Sequence, residues 1–327
     1  MRIEVIGGGS LGLLFAAGAA SAGTPTVLYT RTGEQAAIIA REGIEVRSPG
    51  EEGPGRRIRR NLHAGPIEAF GVSGAAGRST DDDGDRWIVL TVKQKDVDDV
   101  LIATLARGIR SGDRLLCLQN GIGHIERLAA ALPQADVYAA ITTEGARRLG
   151  PDVALHAGQG STSFGLPHGG ESSTPGRMGA EKKLTDTFAA AGLPLSASND
   201  IQTAIYRKLL MNAVINPLTA LWRVENGALL ESADRLAAMR ALFDETVAVY
   251  ASAGVVVPPE WWDDLLGVCR ATSRNRSSML EDVSHGRETE AKWIGGGIAA
   301  LARRCGTAAP LNEMLLHLIE GMRPDKR

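Results

Sequence analysis

Hydrophobic positions along the 327-residue chain change period part way through. Residues 2–6 alternate and are β-branched; then come Gly7-Gly8-Gly9-Ser10-Leu11-Gly12, an alanine-rich stretch to about Ala22, and a strand-like run Thr26-Val27-Leu28-Tyr29-Thr30. Period two marks strands and period 3.6 marks helices, so this opening predicts a βαβ unit of about thirty residues. Buried-strand runs return at Trp87 to Val92 and Leu115 to Leu118, on either side of a helix-like stretch from about Asp96 to Ile109. Such alternation predicts a parallel, doubly wound sheet. Ahead of them, the segment from Pro49 to Asp85 is rich in glycine and charge, including Asp81-Asp82-Asp83, and predicts short strands and solvated loops. After Ala139 to Thr143 the texture becomes hairpin-like, with Val153 to His156 and Ser161 to Gly165 flanking a Gly158-Gln159-Gly160 turn; Gly169 to Gly179 reads as a loop. Beyond Ser198 helical periods dominate, at roughly 200–222, 234–253, 260–280 and 287–305, without a further strand. The expectation is an α/β chain: a Rossmann-type dinucleotide domain over 1–198 and an all-α substrate domain over 199–327.

Composition narrows the function classes. Hydrophobic residues make up 44%, charged residues 23% and the formal net charge is -2, the balance of a globular chain with no general affinity for nucleic acid. Cys117, Cys269 and Cys305 form no CxxC pair, which argues against a disulfide framework and for a reducing, cytoplasmic setting. The run from Leu11 to Ala20 imitates a signal peptide, but it follows a strand and a glycine cluster, and no stretch of about 18 apolar residues offers a membrane span. The six histidines are scattered without HxxxH spacing, so no metal site is expected. The Trp261-Trp262 pair packs a helix of the second domain or a subunit contact, the latter implying a homodimer.

The glycine cluster carries the first chemistry. In a GxGxxG turn, Gly7 allows the tight turn, Gly9 lets backbone approach a pyrophosphate, and Gly12 lets the helix pack against the strand, while the helix N-terminus faces the negative charge. Gly8, Ser10 and Leu11 complete that loop. An NAD site places a carboxylate at the tip of the second strand; here the strand ends in Thr30-Arg31, and a guanidinium suits a 2′-phosphate, so NADP is expected. Arg31 as an ordinary surface arginine is the alternative, and Glu34 lies three residues on. Lys93 and Asn120 follow the next two strands, at carboxyl ends where ligands of such sheets bind; a surface lysine and a plain Asn-Gly turn are the alternatives.

The richest stretch is Tyr206 to Leu221, where Lys208, Asn212 and Asn216 fall at i, i+4 and i+8 on one face of an otherwise apolar helix. Two amides and an ammonium there require partners, and a small acid with hydroxyl and carboxylate oxygens would supply them. Polar capping near Pro217 is the alternative.

With Gly7 to Gly12, Thr91-Val92-Lys93, Gln119-Asn120-Gly121, Arg207-Lys208 through Leu221, Asn226-Gly227, Ser277 to Val283 and Gly286 to Glu290, the chain resembles, over nearly its whole length, the ketopantoate reductases (2-dehydropantoate 2-reductases) of the 6-phosphogluconate-dehydrogenase-like superfamily. That resemblance implies NADPH-dependent reduction of ketopantoate to pantoate, a step towards coenzyme A. It implies Lys208 as the catalytic lysine, Glu290 as an acid that orients substrate, Asn212, Asn216 and Ser278 as substrate contacts, Arg31 at the 2′-phosphate, and Lys93 and Asn120 along the cofactor and substrate site. Gln94-Lys95-Asp96 departs from the family's usual aromatic, which bears on which keto acid is taken. A reductase of another 2-keto acid and a non-catalytic NADP sensor are the competing readings. Burial should bring Lys208 towards working pH, and a hinge is expected near 196–204. Ser278 and Glu290 lie twelve residues apart, about 18 Å along an unbroken helix, too far for one small acid to bridge, so a break is expected near Gly286.

Overall fold

The computed structural model describes residues 1–51, 53–72, 84–167 and 175–322; Asp81-Asp82-Asp83 and the first part of the 169–179 stretch lie outside them. Two compact units emerge: Met1–Gln119 with His124–Gln202, and Thr203–Arg327 with the short segment Asn120–Gly123.

The first unit follows β1 (Arg2–Ile6), α1 (Ser10–Ser21), β2 (Thr26–Thr30), α2 (Gly33–Glu42), β3 (Ile44–Arg47), β4 (Arg56–Ile58), β5 (Leu62–Pro66), β6 (Arg86–Leu90), α3 (Asp99–Gly108), β7 (Arg114–Cys117), α4 (His124–Ala131), β8 (Asp136–Thr142), β9 (Gly145–Arg148), β10 (Val153–Gly158), β11 (Thr162–Gly165), α5 (Pro175–Ala190) and β12 (Leu195–Ala197). Eight strands form a sheet in the order β12-β11-β8-β7-β6-β1-β2-β5, parallel throughout except where β11 meets β8. Every residue of β1, β2 and β6 is buried, as expected of parallel strands covered on both faces. The charges this encloses are paired. Glu4, wholly buried, accepts from Arg86 at 2.9 and 2.8 Å and faces Arg2 at 3.0 Å, while Arg86 also reaches Asp113 at 2.6 Å.

A second sheet, β4-β3-β10-β9, was not expected from the sequence pattern. It overturns the predicted 153–165 hairpin: β10 pairs antiparallel with β9 and parallel with β3, whereas β11 joins the main sheet. Gly160 marks a close crossing of the chain, since a Cβ there would lie 2.4 Å from the carbonyl carbon of Thr143. The expected loop over 169–179 is likewise corrected, because α5 already begins at Pro175.

The second unit is helical: α6 (Ile201–Trp222), α7 (Ala233–Ser252), α8 (Trp261–Ala271), α9 (Ser278–Ser284), α10 (Gly295–Arg304) and α11 (Pro310–Gly321). Its core gathers Leu209, Leu210 and Val214 of α6 with Tyr250, Trp261, Leu265 and Ile298. Trp261 is buried there and Trp262 packs edge-on against Phe243 at 5.2 Å, so both tryptophans take part in packing this unit. Two helical expectations need correction. The stretch 260–280 is two helices, separated where Thr272 bonds back to Val268 O at 2.7 Å and Asn226 and Gly227 pin the turn through Asn275 O and Ser273 O. The stretch 287–305 is helical as α10 only from Gly295, preceded by a turn in which Trp293 and Ile294 donate to Glu290 O. No helix among the described residues is long and apolar enough to cross a membrane.

Candidate active site

In the first unit the glycine turn is built by contact. Gly7 has φ of +117°, open to glycine at little cost, and Gly12 passes so near that a Cβ on it would lie 1.7 Å from Gly7 O. Thr91 Oγ1 closes the same junction, 3.0 Å from both Ile6 O and Gly7 O. Gly8 O accepts from Gln35 Nε2 at 2.8 Å, and Ser10 Oγ accepts from the Arg148 amide at 3.0 Å, so α2 and β9 both brace the loop. Space above Gly9 is open, and α1 starts there without a side-chain cap or an acidic residue in its first turn. Its free amides therefore suit a phosphate group, and the loop fits a dinucleotide. Leu11, in the first turn, packs against the core of this unit. Gln35 and Arg148 were not singled out in the sequence, since nothing in their spacing ties them to a loop distant along the chain.

At the tip of β2, Thr32 caps α2 and Arg31 is largely exposed, paired with Asp96 at 2.8 Å. A carboxylate does stand at this position, supplied from the turn after Lys93 rather than from β2 itself. Lys93 is half-buried and immediately precedes that turn, Gln94–Asp96.

In the second unit α6 runs unbroken through Pro217, so Lys208, Asn212 and Asn216 share one helix face. Lys208 is half-buried, and burial lowers its ammonium to about 8 against the upward pull of the Glu290 carboxylate. Asn216 is 6% exposed, yet among the described residues neither its carboxamide nor that of Asn212 is engaged by another protein group. Glu290 accepts from Asn120 Nδ2 at 3.0 Å, a contact made within this unit because the 120–123 segment belongs to it; Ile122 packs on the helical core. Asn120 thus holds the acid in place. Near α8, Asn226 is buried, gives Nδ2 to Thr272 Oγ1 at 2.9 Å and leaves Oδ1 without a partner among the described residues, a polar atom the sequence pattern alone could not flag.

Ser278 is the exposed first residue of α9, and the neighbouring Ser277 caps the helix by accepting from Leu280 N at 3.1 Å. The expected break follows. Gly286, with φ of +62°, donates to Val283 O while Arg287 donates to Asp282 O at 2.8 Å, the paired bonds of a glycine-terminated helix end. Ser278 and Glu290 consequently stand on different elements. No group of His, Cys, Asp or Glu among the described residues is arranged to hold a metal.

The chain matches the family model "Ketopantoate reductase PanE/ApbA" over residues 3–169 and the model of that family's C-terminal part over 200–323. It is 33% identical to 2-dehydropantoate 2-reductase of Bacillus subtilis over 98% of this chain and 97% of that one. Among solved structures, probable 2-dehydropantoate 2-reductase panE from Bacillus subtilis superposes with a TM-score of 0.81 at 32% identity, covering 99% of this chain and 100% of that one. D-mandelate dehydrogenase in its ternary complex with NADH and anilino(oxo)acetate shares the fold, with a TM-score of 0.81 at 22% identity and 98% of each chain covered.

Proposed function

Because the chain belongs to the ketopantoate reductase family of oxidoreductases, we propose that it reduces ketopantoate to pantoate with NADPH, a step towards pantothenate and coenzyme A, in the cytoplasm. The observation that carries this reading is the face of α6, where an ammonium brought to about 8 stands in line with two unengaged carboxamides and within the field of Glu290. In this reading the first unit holds the dinucleotide and the helical unit the keto acid.

Gly7 to Gly12 and the α1 N-terminus would hold the pyrophosphate, with Arg31 at the 2′-phosphate and Lys93 beside the cofactor. Once bound, NADPH supplies a hydride to the keto carbon. As that carbon becomes tetrahedral its oxygen gains negative charge, and Lys208 Nζ gives up a proton to it, leaving a neutral amine and a hydroxyl. Asn212, Asn216 and Ser278 bind the acid's oxygens, and Glu290, held by Asn120, orients the substrate hydroxyl. The same carboxylate keeps Lys208 from losing its proton too readily.

The test is NADPH oxidation by the purified protein with ketopantoate, beside NADH and a panel of other 2-keto acids. Turnover specific to NADPH and ketopantoate is expected. Faster turnover with another 2-keto acid would overturn the substrate assignment, and cofactor binding without turnover on any acid would make the chain an NADP sensor.

A further inference from the structure

A pair of hydroxyls joins α6 to α9 deep in the helical unit. Thr219, wholly buried, places Oγ1 2.8 Å from Oγ of Ser277, itself buried and 58 residues further along the chain. The same Thr219 oxygen lies 2.8 Å from Ile215 O and 3.0 Å from Asn216 O. Pro217 has no N–H to give the ladder, so this is the stretch of α6 where backbone geometry is least fixed by its own hydrogen bonds, and a threonine bonding back to the preceding turn supplies a tie there. On the other side Ser277 Oγ receives Leu280 N and fixes the first turn of α9, which begins at Ser278. One oxygen-to-oxygen contact therefore connects the backbone at Asn216 with the helix end that carries Ser278. Apolar packing alone would not require it: valine has nearly the shape of threonine, and a buried hydroxyl is favourable only when bonded.

We infer that Thr219 and Ser277 are positioning residues for the keto acid, setting the spacing between the Asn216 amide and the Ser278 hydroxyl. This rests on the proposal that Asn216 and Ser278 contact substrate. Thr219 and Ser277 act through the backbone of those neighbours and do not touch the ligand themselves.

The test compares Thr219→Val, Thr219→Ser, Ser277→Ala and the double variant Thr219→Val/Ser277→Ala in the full chain, with Ser278→Ala and Asn216→Ala as markers of the site. KM for ketopantoate, KM for NADPH, kcat and melting temperature are read for each. Thr219→Val is expected to raise KM for ketopantoate about tenfold, equal to about 1.4 kcal/mol, and to leave KM for NADPH within about twofold. Thr219→Ser keeps the hydroxyl and should stay near the parent. The double variant should cost less than the two single changes added together, because both remove the shared Thr219–Ser277 contact. A Thr219→Val protein that melts lower with unchanged KM for ketopantoate overturns the inference, as does Thr219→Ser raising KM as far as Thr219→Val, which would assign the effect to packing. If Ser278→Ala and Asn216→Ala leave KM unchanged, the site assignment itself is wrong. If they raise it while Thr219→Val does not, only the positioning role is.

Discussion

In the proposed reaction, Lys208 is where residue chemistry decides the outcome. An ammonium at about 8 is a better proton donor near neutrality than an exposed lysine, and the cause is burial, partly offset by Glu290. Reduction needs the protonated form, so kcat for NADPH-dependent turnover should be level below pH 8 and fall about tenfold per unit above it. Lys208→Ala should lose the descending limb together with most of kcat, and a retained limb would assign the titration to another group. Linkage has the opposite sign for stability: the unfolded chain binds the proton more tightly, so between about 8 and the ordinary lysine range stability should rise with pH. Arg31 raises a second question at this scale, because its guanidinium is already paired with Asp96 at 2.8 Å. In the proposed NADPH site a 2′-phosphate must compete with that carboxylate. Asp96→Asn is therefore expected to lower KM for NADPH severalfold, and Arg31→Ala to raise it about tenfold while KM for NADH stays level; equal effects on both cofactors would remove Arg31 from the 2′-phosphate site.

Elements bring these residues together, and here the sequence was unevenly legible. The βαβ opening was readable because Gly7 and Gly12 are demanded by a contact that permits no Cβ, so their spacing carries geometry. The face of α6 was readable because three polar residues recur at helical spacing in an apolar helix. Pairing was not: alternation marked β10 and β11 as strands, but which strand each joins depends on partners distant in sequence. The division of 260–280 was hidden because helical periodicity continues across the turn, whose signals are a cap at Ser277 and backbone bonds from Asn226 and Gly227. The Asn120 contact to Glu290 had no local signal. Gly286 was legible, and its φ of +62° explains why. Gly286→Ala forces a side chain into the left-handed region at about 1–2 kcal/mol and disturbs the end of α9 that separates Ser278 from Glu290. It should raise KM for ketopantoate with KM for NADPH unchanged, and Gly286→Asn, which tolerates that backbone, should be milder. An alanine variant with parent KM would show that the break does not set the site.

For the whole molecule the short segment Asn120–Gly123 matters most. The chain passes from the first unit to the second after Gln119, returns after Gly123 and passes again after Gln202. Asn120 reaches Glu290, and Ile122 packs on the helical core within 3.4 Å of where a Cβ on Gly297 would stand. Yet this segment is joined at both ends to the first unit, two residues after β7 and directly before α4. If the first unit opens, the segment loses its anchors and Glu290 loses the donor that holds it. A ligand confined to the first unit should therefore stabilise part of the second. Adenosine 2′,5′-bisphosphate, which carries the phosphates for the glycine loop and Arg31 but no nicotinamide, is a suitable probe. At about a hundredfold excess over Kd it should add about 2.7 kcal/mol to the unit that binds it. Hydrogen exchange is then expected to slow not only in β1, α1 and β2 but also in residues 287–297 of the helical unit, and Asn120→Ala with Ile122→Ala should abolish the second effect while sparing the first. Exchange over 287–297 that ignores the bisphosphate in the parent protein would mean that the Asn120 contact to Glu290 stands whether or not the first unit is ordered, and that a ligand there does not prepare Glu290 for substrate.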